Sequence, residues 1–214
     1  MRLDHLSYVA SHDHLLDEVQ RIGARLGSGF TDGGIHPRFG TRNFTLALQG
    51  GRYLEIVCPL DHPAADASPF GKVVTSRAND GGGWLTWVLS VEDIKTFENR
   101  LGRESVDGQR RRPSGTDLKW KQIGVQEIAD TREFPFFIEW LTTDHPSQDG
   151  TPQAEIKKIT IADQEKLSDS WFKDEILGSL GDVVIEWIDP DQNDSQSGIV
   201  SVHLSTPTGM VTLD

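Results

Sequence analysis

The chain has 214 residues, enough for one generous domain or two small fused ones with a real core. Its 21 basic and 33 acidic residues leave a formal charge of −12, which argues against a nucleic-acid backbone as partner. Hydrophobic residues make up 36%, and no apolar run approaches the roughly 20 residues that span a bilayer, so no membrane role is expected.

The opening "MRLDHLSYVA" lacks the charged-then-apolar pattern of a signal peptide, and Cys58, the single cysteine, cannot form an intramolecular disulfide. A cytoplasmic location is the expectation. Residues 2–10 alternate as a strand does, with Leu3, His5, Ser7 and Val9 on one side. Ser11 is placed to cap a helix whose apolar positions Leu15, Val19, Ile22 and Leu26 recur at helical spacing, and Gly27 and Gly29 stop it. A Gly-rich stretch, with a short strand inside it, leads into "NFTLALQ". Gly50 and Gly51 then turn the chain into "RYLEIVC". The unit is β-α-β-β.

After a connecting helix in "SPFGKVVTSRAND", the order repeats. "WLTWVLS" is a strand, Ser90 a candidate cap, Ile94, Phe97 and Leu101 a helix stripe, and "DLKWKQIG" and "FPFFIEWLT" two further strands. The basic run "RRRP" (110–113) is expected to be a solvated loop, with an anionic-substrate clamp as the alternative. Past the polar "SQDGTP" comes "EIKKITIA", a helix over 163–177, and the strands "DVVIEWI", "GIVSVHLS" and "GMVTL". Three modules are therefore expected, over 1–80, 81–146 and 147–214, the last divergent.

"YLEIVCPLDHP" (53–63) and "FFIEWLTTDHP" (136–146) each set a Glu among large apolar residues and run on to Asp-His-Pro. His5 to Val9 align with Trp84 to Val88, and Glu55 with Glu139, at nearly the same spacing, as a duplicated module would. A strand with one wet face would leave either Glu in water. Two such positions in matching copies point instead to a shared cavity, where the carboxylates would bind a cation or act as general base. His5 with Glu55 and Glu139 forms a candidate site of one His and two carboxylates, suited to Zn²⁺, Mn²⁺, Fe²⁺ or Ni²⁺ without choosing among them. In the loop "GGIHPRFGTRNFTL", His36, Thr41, Arg42 and Asn43 are candidates for orienting a substrate, against a plain turn. Trp84, Trp120 and Trp140 would wall an apolar pocket or fill core. Cys58 is read as a small core residue, and His62 and His145 as turn formers.

"LDHLSYVA", the His36-x3-Gly40-Thr41-x-Asn43 loop, "YLEIV" and "FPFFIEW" resemble the vicinal oxygen chelate superfamily, which includes glyoxalase I, bleomycin-resistance proteins and extradiol dioxygenases. More narrowly, they look like the glyoxalase-like group, over residues 2 to about 175. The resemblance implies an α+β fold of repeated β-α-β-β modules whose curled mixed sheets enclose a cavity. It implies metal ligands at His5, Glu55 and Glu139, with Trp84 where a His or Gln is expected. It implies a metal-dependent lyase, isomerase or dioxygenase acting on a small molecule with vicinal oxygens, one glutamate serving as the proton shuttle. The alternative is a metal-free protein that sequesters a small ligand, for which the acidic chain favours a cationic or aromatic molecule. A third is a subunit whose last module pairs protomers into a homodimer through its sheet edges.

Overall fold

A computed structural model describes residues 1–163, 178 and 180–214. Strand β1 (Arg2–Val9), helix α1 (Leu15–Leu26), and strands β2 (Thr31–His36), β3 (Thr41–Leu48) and β4 (Arg52–Pro59) form the first β-α-β-β unit. Helices α2 (Pro63–Ala67) and α3 (Pro69–Asn79) lead to β5 (Gly83–Ser90), α4 (Lys95–Leu101), β6 (Val106–Arg111), β7 (Asp117–Ile123) and β8 (Phe136–Trp140). Strands β9 (Glu155–Ala162), β10 (Val184–Ile188), β11 (Gly198–Thr206) and β12 (Gly209–Leu213) make a separate sheet. Beyond Asp163, the helix expected over 163–177 lies outside the described residues.

The first eight strands close into a barrel in the order β1-β4-β3-β2-β6-β7-β8-β5. Each unit contributes four neighbouring strands, and both units have the same internal order. β1 pairs with β4 and β5 with β8 in parallel, while the seams β1–β5 and β2–β6 are antiparallel. The mixed, curled sheet about a cavity is the α+β architecture expected. In the second sheet β10 and β9 are parallel, and β11 runs antiparallel to β9 and β12.

Local chemistry accounts for the elements. Helix α1 buries Leu15, Ile22 and Leu26 at helical spacing and ends at Gly27, whose φ of 65° is the left-handed cap that glycine adopts without strain. Strand alternation divides the apolar residues between two cores. One joins the barrel's outer face to α1, α4 and the second sheet, through Leu6, Ile22, Trp87, Ile159 and Leu204. The other lines the barrel and runs beneath α3, through Val57, Val88, Leu118, Phe136 and Val74.

Three local expectations need correction. The Ser11 hydroxyl bonds the His14 ring at 2.9 Å and caps no backbone N–H. Ser90 closes β5 rather than capping α4; the Ile94 N–H is taken by the Glu139 carboxylate at 3.0 Å. "RRRP" is not a loop throughout, because Arg110 and Arg111 belong to β6, which pairs with β7. By contrast, His62 and His145 do form turns: each ring accepts the backbone N–H two residues on, with Pro at the first helical position.

The β2–β6 seam depends on Gly34. Its φ is +95°, and a Cβ there would lie 1.9 Å from the Arg111 carbonyl oxygen, beside the Ile35–Arg111 pair that closes the barrel. Gly34→Ala is expected to cost about 3 kcal/mol of stability through backbone strain and overpacking. The chemical denaturation midpoint measures this, and an unchanged midpoint would mean the seam yields freely.

Candidate functional site

The register of β1 against β4 places Tyr53 beside His5 and Glu55 beside Ser7, all on the barrel's inner face. Asn43 of β3 joins them from the next strand. The first unit thus supplies a polar wall. The second supplies Trp120, Phe136, Ile138 and Trp140, together with Gln122 and Arg110. His36 and Phe70 complete the lining. A second pocket adjoins it and shares Phe70 and Gln122.

The polar wall is organised by a fully buried carboxylate. Asp4 Oδ2 lies 2.9 Å from His5 Nδ1, and Asp4 Oδ1 lies 3.1 Å from His145 Nε2. The Trp140 indole N–H donates to Asp4 Oδ2 at 3.3 Å, and Arg2 lies 3.2 Å away. Burial alone would raise the Asp4 pKa. The bonds from His145 and His5 outweigh it and hold the carboxyl well below the usual range. An ionised carboxylate only accepts, so His5 donates through Nδ1 and its Nε2 is left facing the cavity, 4.0 Å from Glu55 Oε2. The His5 ring stacks on Tyr53 at 4.3 Å between centroids.

Glu55 is held as firmly. The Ser7 hydroxyl and the Asn43 amide each donate to one of its oxygens at 2.6 Å. Burial works to raise its pKa, but His5, His36 and these two donors together bring it below the ordinary value. His36 meets the Thr41 hydroxyl at 2.8 Å. Burial pushes its pKa down to about 4, with Arg110 and His5 adding to the effect against Glu55. Burial likewise keeps the Tyr53 phenol protonated, aided by Asp4 and Glu55.

The structure therefore brings together His5, His36, Asn43, Glu55, Trp120 and Trp140, with Thr41 behind His36. It separates three other candidates from them. Glu139 points outward from β8, where it caps the start of α4; alternation gives the cavity to Phe136, Ile138 and Trp140 instead. The inferred match of Glu139 to Glu55 is thus one residue out of step, which in a strand means the opposite face. Trp84 also faces outward, packed edge-on against Tyr8 at 5.3 Å. Arg42 turns away to Asp32 at 2.6 Å and lies over the Phe44 ring. The expected metal ligands His5, Glu55 and Glu139 therefore do not converge. Among the described residues, no group of three or more His, Cys, Asp or Glu side chains is arranged to hold a metal.

Sequence reasoning missed Tyr53, Gln122 and the Asp4–His145 pair, and reached Arg110 only through the alternative reading of its run as an anionic-substrate clamp. Alternation from Glu55 puts Tyr53 on its face, and that signal was available. Nothing local marks Asp4 and His145, which are 141 positions apart. Arg110 sat in a run that resembled solvated charge, yet its side chain is 3% exposed. Two residues earlier in β6, Gly108 lies opposite Trp120 in the ladder and leaves it room, since a Cβ there would come within 2.2 Å of the indole.

The sequence pattern of the glyoxalase-like domain family matches residues 3–174. Among solved structures, a hypothetical protein from Staphylococcus aureus is similar with a TM-score of 0.61 at 19% identity, over 80% of this chain and 74% of that one. Methylmalonyl-CoA epimerase from Mycobacterium tuberculosis is similar at a TM-score of 0.43 and 17% identity, over 65% of this chain and 86% of that one. No curated protein matches the chain. No helix among the described residues is long and apolar enough to cross a membrane.

Two predictions follow the site's geometry. The folded pKa of His36, about 4, lies below the ordinary histidine value of 6.5, so the unfolded chain takes up this proton first. Stability tied to neutral His36 is complete above pH 6.5 and is lost as pH falls toward 4, by about 3 kcal/mol in all. The unfolding free energy of His36→Gln should fall less steeply than that of the parent protein across this window; parallel curves would assign the loss elsewhere. Separately, added Zn²⁺, Mn²⁺, Fe²⁺ or Ni²⁺ should leave the melting temperature in place. A saturable rise that disappears in His5→Gln would restore the three-ligand expectation.

Proposed function

Because the chain belongs to the glyoxalase-like domain family, within the vicinal oxygen chelate superfamily, we propose that its barrel cavity performs isomerase- or lyase-type proton transfer on a small molecule with adjacent oxygens. The observation that supports this reading is the row Asp4–His5–Glu55, with Nε2 as the one ring nitrogen of His5 left toward the cavity. An oriented imidazole beside a carboxylate, walled off from bulk water, is the usual equipment of general acid–base chemistry.

In this reading His5 Nε2 removes a proton from a carbon next to a carbonyl. The C–H bond breaks, an N–H bond forms, and the electron pair passes to the carbonyl oxygen. The Tyr53 phenol, kept protonated, is the donor for that oxygen. The resulting imidazolium lies between Asp4 and Glu55. Return of the proton to the neighbouring atom gives isomerisation; departure of a leaving group gives a lyase. Trp120 and Trp140, with ring centroids 5.6 Å apart, form the apolar wall that excludes water.

The same walls would serve a protein that sequesters a small ligand without chemistry. Solvent isotope exchange separates the two readings without knowledge of the product. Compact 2-oxo and 2-hydroxy compounds incubated with the protein in D₂O should gain deuterium at the carbon next to the carbonyl. His5→Gln and Glu55→Gln should slow that gain by about a hundredfold or more. Glu139→Ala should leave it unchanged while costing about 1 kcal/mol of stability for the lost helix cap. Saturable binding without exchange would retire the acid–base reading in favour of sequestration.

A further inference from the structure

Arg110 is the feature of the cavity that acid–base chemistry leaves unused. It projects from β6 into the barrel and is almost wholly buried. A guanidinium in such a place needs acceptors for its five N–H bonds. Nη1 reaches the Asn43 side-chain oxygen only at 3.5 Å. Nη2 is ion-paired with Asp149 Oδ2 at 3.7 Å, beyond hydrogen-bond range, and that oxygen is hydrogen-bonded by Arg112 at 2.9 Å. Among the described residues, Nε and Nη2 have no hydrogen-bond partner at all. The other carboxylate near Arg110, Glu55, is committed to Ser7 and Asn43.

Nε and Nη2 lie on one edge of the guanidinium, and this edge forms the side-on fork that matches the two oxygens of a carboxylate. The next residue shows the filled version. Arg111 uses the same two atoms on Asp117, at 2.9 and 3.0 Å. Arg110 carries the same fork without a hydrogen-bond partner, enclosed in the barrel wall. We propose that the Nε–Nη2 edge of Arg110 seats the carboxylate of a compact organic acid, so that the cavity selects anionic molecules over their neutral and cationic counterparts. This rests on reading the barrel cavity as the substrate site, and it names the substrate class: small acids carrying a carbonyl or hydroxyl next to the carboxylate. It also reverses the cationic ligand that the chain's net charge of −12 suggested. Net charge describes the surface, whereas a buried guanidinium sets the field in its own cavity.

The surroundings are built for this. A Cβ at position 33 would come within 2.1 Å of the Asn43 side chain and 2.7 Å of Arg110 Nη1, so Gly33 makes room for both. His36, neutral down to a pH of about 4, adds no second positive charge to compete for the anion.

The test is titration calorimetry with pyruvate, lactate and phenylpyruvate beside their methyl esters. The parent protein should bind at least one of the acids saturably and its ester far more weakly. Arg110→Gln should weaken the acid by roughly tenfold or more and leave the ester unaffected. Arg110→Lys keeps the charge and loses the fork, so it should fall between the two. Should the Gln variant fail to fold, a weakened acid in a Lys variant with parental melting behaviour carries the same conclusion. Acids and esters bound alike, acids bound equally by parent and both variants, or no acid bound saturably would each overturn the assignment. The outcome is separable from isotope exchange: acid binding without exchange keeps the anion seat and removes the proton transfer, and exchange confined to the esters does the reverse.

Discussion

Much of the molecule's internal order depends on one carboxylate that water never reaches. Asp4 gathers a ring from its own strand, His5, and two donors from the far end of the second unit, Trp140 and His145. An ionised group buried this deeply is tolerable only when its acceptors are filled, and here the filling comes from both halves of the barrel. The same bonds that satisfy the charge fix the tautomer of His5 and hold the Trp140 indole against the cavity. Closure of the fold and preparation of the site are one set of interactions.

The fold was largely legible because it rests on period and punctuation. Helix α1 announces itself by Leu15, Ile22 and Leu26 and by Gly27, and the β-α-β-β order repeats openly. The site was legible only in its first half. "YLEIV" alternates around Glu55, and its neighbours Ser7 and Asn43 follow from strand pairing. "FPFFIEW" is apolar on both faces, so nothing in its pattern says which parity looks inward. The choice of Glu139 over Ile138 was a choice of parity, and the structure took the other one. The second face of β8 packs too, through Phe137 on Phe97 at 4.1 Å between centroids.

Arg110 was obscured for a different reason. A run of three arginines has the composition of a wet surface, yet in β6 consecutive side chains go to opposite sides. Arg111 is exposed and ion-paired with Asp117, while Arg110 is enclosed. Composition averages over the two sides of a strand and discards the distinction that matters. The Asp4–His145 contact was hidden by sequence distance, because it exists only once the barrel has closed.

The two Asp-His-Pro turns share their punctuation, and each His accepts a backbone N–H to start its turn. His145 has a second task, through its other ring nitrogen on Asp4. The two halves of the cavity differ too, with the carboxylate and imidazole groups gathered on the first and indole and phenyl rings, beside Arg110 and Gln122, on the second. A chamber whose opposing sides differ this much has an orientation of its own. A flat molecule held inside it presents one face to groups that move protons and the other to a side that moves none. Any reaction there would be stereospecific as a consequence of the architecture, without a separate device to enforce it.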